Sequence, residues 1–436
     1  MTRLRMTALL LMLFLPTLAW SAGPILVDTD GTGLPIFWEG RVVHYNAESG
    51  ADSGLGRFTN AEAVQLIRDL LAQWQEVTIN GRATVSFEVS EGSGLGNVDE
   101  NNINNFFSYC PPDQNCPGED APFVIGSART GQSPIIFDSD GSITDLIEGN
   151  GAKDSILGFA GPRVVESVDG QMVITEGQAV LNGYFIDCAE GASATDPCQD
   201  TEVSLAEYEG VIFHEMGHFI GLDHTQVNLA SALKSLNGDD SEVDAIPTMF
   251  PLFVDGVAQG TPHYDDKVAV STLYPAVVYS SQFCTLSGTV YEADGSTELQ
   301  GVNVVAARSD NTLEEATSFV SGSYYTGTVG ACGHLVGDFS IGGLIPGASY
   351  QLSIERLSQA FTGGSSIEPC DPPLTGFTAK TLDGLFSCSS AGTTITAGTV
   401  ATTEIVTSKT STTSTTTGSA GGGSSSSSAR GCSLIP

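Results

Sequence analysis

Residues 214–224 read His-Glu-Met-Gly-His-Phe-Ile-Gly-Leu-Asp-His, and no other stretch constrains the chain as strongly. His214 and His218 are four positions apart, so on a helix their side chains project from the same face. Gly221 reaches the left-handed conformation at little cost, which would end the helix and let the chain bring His224 back to the same point. Three imidazoles that converge in this way leave a fourth position for water, as in a catalytic rather than a structural zinc site.

A buried helix is predicted to carry the first part of this stretch. Glu215 follows the first histidine and could accept a proton from a metal-bound water. Ser204 and Glu207 have the Ser-x-x-Glu spacing of a capping box. Apolar residues then recur at helical spacing, namely Leu205, Tyr208, Val211, Ile212, Met216 and Phe219. Two histidines and a glutamate on a buried helix are costly without a partner, and a metal ion supplies one.

The distribution of histidines argues against a chance match. The chain has six histidines, and three of them fall within residues 214–224. His44, His263 and His334 lie outside this stretch, and none has a partner at metal spacing. We therefore interpret these three as surface or core residues.

The pattern His-Glu-x-x-His-x-x-Gly-x-x-His is the metzincin signature, and the chain resembles a matrixin-type metzincin, a zinc protease. Members of the family have a methionine turn beneath the zinc, and the resemblance assigns it to Met249, 25 residues after His224. It also implies that Pro251 and Phe253 form part of a substrate pocket wall. The implied activity is hydrolysis of peptide bonds, with Zn2+ on the three histidines and Glu215 as general base.

The fold that the resemblance implies is α+β, with a twisted mixed sheet, long helices and the zinc on the active-site helix. We assign this metzincin-like catalytic domain to residues 23–278. A strand at 42–45, a helix that starts at the Thr59–Glu62 capping box and a strand at 84–89 agree with it. Residues 90–200 form a longer region than a minimal matrixin has, and we interpret them as strands with large loop insertions.

Several acidic residues have two interpretations. Asp138, Asp140 and Asp145 surround a glycine and could provide oxygen ligands for structural Ca2+, which matrixins usually carry, or they could form a surface turn. The run from Asp28 to Asp30 is a weaker example of the same pattern. Asp223 could accept a hydrogen bond from a ligand histidine or simply belong to the turn, and the sequence does not choose between these roles.

The N-terminus and the cysteines indicate export. Residues 1–22 have the charged start, short apolar core and small residues of a secretory signal peptide, and the apolar run is too short for a membrane-spanning helix. Nine cysteines are present without a Cys-x-x-Cys, which favours disulfides over a zinc cluster. Two small loops would be closed by Cys110 with Cys116 and by Cys188 with Cys198. Three pairings remain open for Cys284, Cys332, Cys370 and Cys388.

The net charge limits the partners. With 51 acidic and 16 basic residues the net charge is −35, which would repel nucleic acid and anionic membrane surfaces. A protein or peptide substrate is compatible with this charge. The sequence predicts no nucleic-acid partner and gives no oligomeric state.

The C-terminal third changes character. Residues 284–400 alternate short β-prone runs with turns and resemble a carboxypeptidase-regulatory-like, or prealbumin-like, β-sandwich. Residues 401–436 form a Thr/Ser/Gly tail that ends in Gly-Cys-Ser-Leu-Ile-Pro, and we expect it to be disordered. Cys432 could anchor the tail to the cell surface or belong to a disordered end.

These observations favour a secreted or cell-surface zinc endopeptidase. The alternative is a surface adhesin or matrix-binding protein whose metal domain is vestigial. Glu215 argues for the enzyme, because a binding scaffold needs no general base. A structural calcium-bound surface protein is a third hypothesis, supported only by the acidity and the tail.

Overall fold

The computed structural model describes most of the chain as a mixed α+β structure with several sheets and few helices. The described residues are 23–27, 34–50, 53–107, 109, 129–188, 202–235, 237–254, 259–322, 337–357, 377–402 and the backbone of 431–433. The predicted signal peptide, Asp28–Asp30 and His334 lie outside these ranges.

The first half of the chain builds a six-stranded mixed sheet and a small hairpin. Its strands are β1 (Val42–Ala47), β2 (Thr78–Ile79), β3 (Arg82–Ala83), β4 (Glu88–Glu91), β5 (Pro134–Asp138), β6 (Ile156–Val168) and β7 (Gln171–Asn182). The large sheet has the order β6-β7-β5-β1-β4, and a C-terminal strand adds to the free side of β6. β1 is parallel to β4 and β5, β5 is parallel to β7, and β6 is antiparallel to β7. The strand predicted at 84–89 begins later, at Glu88.

The described helices pack on this sheet or beside it. They are α1 (Asn60–Gln75), α2 (Ser142–Glu148), α3 (Leu205–Phe219), α4 (Leu229–Ser235), α5 (Tyr264–Leu273) and α6 (Tyr279–Gln282). Both predicted capping boxes are confirmed, at Thr59 before α1 and at Ser204 before α3. No helix in the described ranges combines the length and the hydrophobicity that crossing a bilayer requires.

Both faces of the large sheet are covered, which explains why most residues of β6 and β7 are buried. On one face Leu157 and Leu181 join the main core with α1 and α3. On the other face Phe159 and Val180 join a smaller core with α2. Trp74 of α1 stacks on Phe213 of α3 with ring centroids 4.6 Å apart, so the two long helices are fixed side by side.

The last third of the chain forms two further sheets. Its strands are β8 (Cys284–Tyr291), β9 (Val302–Arg308), β10 (Asn311–Val320), β11 (Asp338–Leu344), β12 (Ser349–Arg356), β13 (Lys380–Thr381), β14 (Phe386–Ser387), β15 (Thr394–Ala401) and β16 (Gly431–Ser433). One sheet has the order β10-β9-β12-β13 with β14 also on β12, and the other has the order β11-β8-β15. β16 instead pairs with β6 of the first sheet, although the sequence predicted a disordered end.

These two sheets pack against the part of the chain that precedes them. Ser318 of β10 donates its backbone N–H to Asp265 of α5 over 2.9 Å, and the Tyr264 hydroxyl donates to the Gly343 carbonyl. Gln226, two residues after the third histidine, donates to Glu355 of β12 over 2.9 Å. The C-terminal sheets therefore contact both α5 and the chain that follows the histidine stretch.

A disulfide between Cys284 and Cys388 selects one of the open pairings. Cys332 and Cys370 lie outside the described residues. The bond closes a loop of 104 residues, which removes much freedom from the unfolded chain.

We expect the double variant C284A/C388A to lower the free energy of unfolding by about 2–5 kcal/mol. Urea denaturation of both proteins would measure the difference. Wild type treated with a reductant should unfold at or below the urea midpoint of the double variant, because reduction also opens the disulfide of Cys188. Equal urea midpoints for oxidised wild type and the variant would contradict a stabilising role.

Candidate metal centre

The sharp turn after α3 brings the third histidine to the first two. α3 ends at Phe219, and Gly221 follows with φ of 103°, a conformation that favours glycine. The N–H groups of Gly221 and Leu222 donate to the carbonyls of His218 and Gly217, each over 2.9 Å. These bonds close the helix end, as the sequence predicted, and turn the chain toward His224.

His214, His218 and His224 form a compact and buried group. One nitrogen from each ring lies within 4.8 Å of the other two, and the Nε2 atoms of His218 and His224 are 3.0 Å apart. Nitrogens at ordinary zinc–nitrogen lengths around a tetrahedral ion would be about 3.3 Å apart. The group therefore has the size and the donor type that a zinc ion requires.

Backbone carbonyls orient two of the three rings. The Nδ1 atom of His214 lies 2.6 Å from the Thr248 carbonyl, and the Nδ1 atom of His218 lies 2.9 Å from the Leu222 carbonyl. Because a carbonyl only accepts, both Nδ1 atoms carry the proton, and both Nε2 atoms keep their lone pairs. This is the tautomer that binds a metal through Nε2.

His214 supplies a direct test of whether a metal fits. Its Nε2 atom is buried and has no hydrogen-bond partner in the part of the chain that the structure describes. Burial also lowers the pKa of His214 to about 4, although the Thr248 carbonyl opposes the shift, so the ring is neutral near pH 7. A buried lone pair without a partner is unfavourable, and a cation between the three rings would satisfy it.

Glu215 is fully buried on the same helix, next to the first ligand. Strand β6 passes directly beside it, because a Cβ added at Gly158 would lie 3.3 Å from the Glu215 Cγ atom. The carboxylate thus lies between α3 and the outer strand of the large sheet. This role of Gly158 could not be predicted from the sequence, since the contact joins residues far apart in the chain.

Met249 lies under the turn of α3 that carries the histidines. Its side chain is fully buried, and a Cβ added at Gly217 would overlap its sulfur atom. The Met249 carbonyl accepts the Thr225 N–H over 2.9 Å, which ties the methionine to the residue after His224. The sequence placed Met249 near the zinc motif, and the structure brings the two into contact.

Asp266 of α5 holds the Met249 turn in place, a role that the sequence did not reveal. One carboxylate oxygen accepts the Met249 N–H over 3.0 Å. The other accepts the N–H groups of Thr248 over 2.8 Å and His263 over 2.7 Å. Asp266 therefore fixes the Thr248 carbonyl that orients His214. The only sequence signal was its position in the capping box of α5.

Asp223 makes the bonds of a turn residue. It is buried, and its carboxylate accepts the N–H of His224 over 2.7 Å. Its own N–H donates to the Gly23 carbonyl over 3.0 Å. These bonds fix the backbone that presents His224. They favour the role of a turn residue over that of a hydrogen-bond acceptor for a histidine ring, the two roles that the sequence left open.

The three aspartates proposed for calcium are not brought together. Asp138 is buried, and its oxygens accept from the N–H groups of Ile143 and Thr144. Asp145 accepts hydrogen bonds from the backbone N–H groups six and eight residues later. Asp140 accepts one from the backbone N–H group two residues later. Within the described ranges these carboxylates form no group at metal spacing. Their oxygens stabilise the turn and the start of α2 instead.

The burial of the remaining predicted positions can be stated where they are described. Pro251 is buried, and Phe253 is half-buried against the main core. His44 is exposed on β1, and buried His263 caps α5, so neither joins the metal group. A second cluster of possible ligands contains Cys188, but that sulfur is in a disulfide and is unavailable to a metal.

No family model and no curated protein matches this chain. Function must therefore be inferred from the chemistry of the site itself. Three imidazoles at this spacing can hold a divalent transition metal, and the neighbouring carboxylate can move a proton.

We expect D266N to weaken zinc binding at least about tenfold. The N–H donors of the asparagine amide would face backbone N–H groups from which the Asp266 carboxylate now accepts hydrogen bonds. A competition titration with a chromophoric chelator would measure the affinity. D265N is the matched control, since Asp265 bonds to Ser318 instead. It should lower the melting temperature but leave zinc affinity unchanged, and an equal loss of zinc in both variants would contradict the assignment.

We expect G217A to destabilise the protein by about 1–3 kcal/mol, because the added methyl group overlaps the Met249 sulfur. M249A in the same chain should relieve part of this cost, so the two changes would be non-additive. G161A is the control, because a Cβ there meets only Ile25 at 3.8 Å. Thermal unfolding of the four variants would test this, and strict additivity would contradict the contact.

Proposed function

We propose that the protein is a secreted, zinc-dependent endopeptidase of the matrixin-like metzincin type. The observation that carries the proposal is the group of three buried imidazoles whose ligand atoms lie within 4.8 Å of one another, with Glu215 beside them. His214, His218 and His224 would hold the metal. The unsatisfied Nε2 atom of His214 supports a bound cation at this point.

Each residue at the site would have a distinct role in hydrolysis. When bound, zinc would lower the pKa of a coordinated water toward about 7 and polarise a carbonyl. Glu215 would accept a proton from the attacking water and later deliver it to the nitrogen of the leaving amine. Its buried position favours direct proton transfer over exchange with bulk water. Thr248 and Leu222 would keep two imidazoles in the ligating tautomer throughout.

The surrounding structure supports the matrixin-like proposal. A mixed sheet carries long helices on one face, and two ligands lie on one of those helices. Met249 lies against the same helix. The two C-terminal sheets would correspond to the carboxypeptidase-regulatory-like β-sandwich, and their contacts with α5 favour a supporting role over that of a loosely attached spacer. A protein or peptide is the substrate class that we propose.

We expect E215A to retain about one zinc per chain and to lose cleavage of an unfolded protein at least about 100-fold, because the proton acceptor is gone. Elemental analysis and a fluorogenic casein assay would measure the two quantities. E209A is the matched control, since Glu209 is exposed on the same helix and should be dispensable.

A chelator should abolish wild-type cleavage, and added zinc should restore it. Wild-type protein that binds zinc yet cleaves no protein or peptide would contradict the proposal. That result would favour the adhesin or matrix-binding alternative. Cleavage by E215A at the wild-type rate would show that another group is the base.

A further inference from the structure

The outer edge of β6 carries a strand from the far end of the chain. β6 is the last strand of the large sheet on that side, apart from β16. β16 pairs with it in antiparallel register, with Gly431 opposite Phe159, Cys432 opposite Gly158 and Ser433 opposite Ile156. A sheet edge offers unpaired N–H and C=O groups to any extended chain, so this pairing requires no particular side chain.

This pairing occurs next to the candidate metal centre. Gly158, the residue opposite Cys432, is the one that lies against Glu215. Cα atoms of β16 also come within 8 Å of α3, the helix that carries His214 and His218. A chain bound at this edge therefore runs beside the proposed base, in the orientation that an extended peptide would adopt.

The sequence permits a tethered and reversible occupant. Residues 403–430, rich in Thr, Ser and Gly, connect β15 to β16. At roughly 3.3 Å per residue such a connection reaches about 90 Å when extended, so it does not restrict where the end can bind. Three residues form few backbone hydrogen bonds, but a tether raises the local concentration to the millimolar range.

We propose that Gly431–Ser433 of this chain is the resident occupant of the β6 edge beside Glu215. The tail then competes with any polypeptide that approaches the metal centre. The competition, but not the docking, rests on the proposed peptidase function.

Hydrogen–deuterium exchange of the full chain tests the docking without any assay of activity. Those β6 amides at 156–159 that face β16 should exchange at least about tenfold more slowly in wild type than in C432P, because proline lacks an N–H and disrupts a short strand. The amides that face β7 stay paired in both proteins and serve as an internal reference. C432S is the matched control, since it keeps the backbone and should stay protected. Intact mass is checked in each sample, because a cleaved tail would mimic release.

Equal exchange at 156–159 in wild type and C432P would overturn the docking. If C432S lost as much protection from exchange as C432P, backbone pairing could not be the basis of the protection, and that part of the proposal would be overturned. Protection that increases with protein concentration would identify a second copy of the chain as the occupant and overturn the intramolecular tail.

The competition is tested with the same variants. C432P should cleave a fluorogenic peptide with kcat/KM at least about threefold above wild type, with C432S unchanged. If C432P released the β6 edge but cleaved the peptide no faster than wild type, the competition would be overturned. Wild type, C432P and C432S could all fail to cleave while wild type and C432P still differ in exchange at 156–159. That result would overturn the proposed function and leave the docking of the tail established.

Discussion

The whole site depends on two backbone carbonyls that accept hydrogen bonds from imidazole Nδ1–H groups. Thr248 and Leu222 leave the Nε2 lone pairs of His214 and His218 directed toward each other and toward His224. In water such rings would rotate and titrate freely. Burial lowers the pKa of His214, and the carbonyls select one tautomer of both rings, so the site is ready for a cation before one arrives.

That arrangement is supported from outside the histidine stretch. The Thr248 carbonyl is fixed because Asp266 accepts the N–H groups of Thr248 and Met249. Asp266 belongs to α5, whose neighbouring residue Asp265 accepts an N–H from Ser318 of the C-terminal sheets. Burial raises the pKa of Asp266 to about 7, so this carboxylate is kept at some energetic cost. The C-terminal sheets are thus bonded to α5, the helix that carries Asp266.

The sequence predicted the parts of this structure that are set by local spacing. The helix from Leu205, its capping box and the turn at Gly221 all follow from residues within a few positions of one another. The contacts of Asp266 and Gly158 could not be predicted, because each joins segments that only the fold brings together. The aspartates at 138–145 show the opposite limit, since their spacing suits both a cation and a turn, and only the bonds distinguish the two.

The C-terminal strand illustrates a further limit. Its composition predicts disorder, and composition says nothing about an unpaired edge elsewhere in the fold that would accept it. If Glu215 is the base that we propose, the exposed edge beside it has two conflicting requirements: it must accept a substrate backbone, yet it must not pair with other copies of the chain. A short strand on a long tether meets both, because it covers the edge at rest and is weak enough for a longer peptide to displace it.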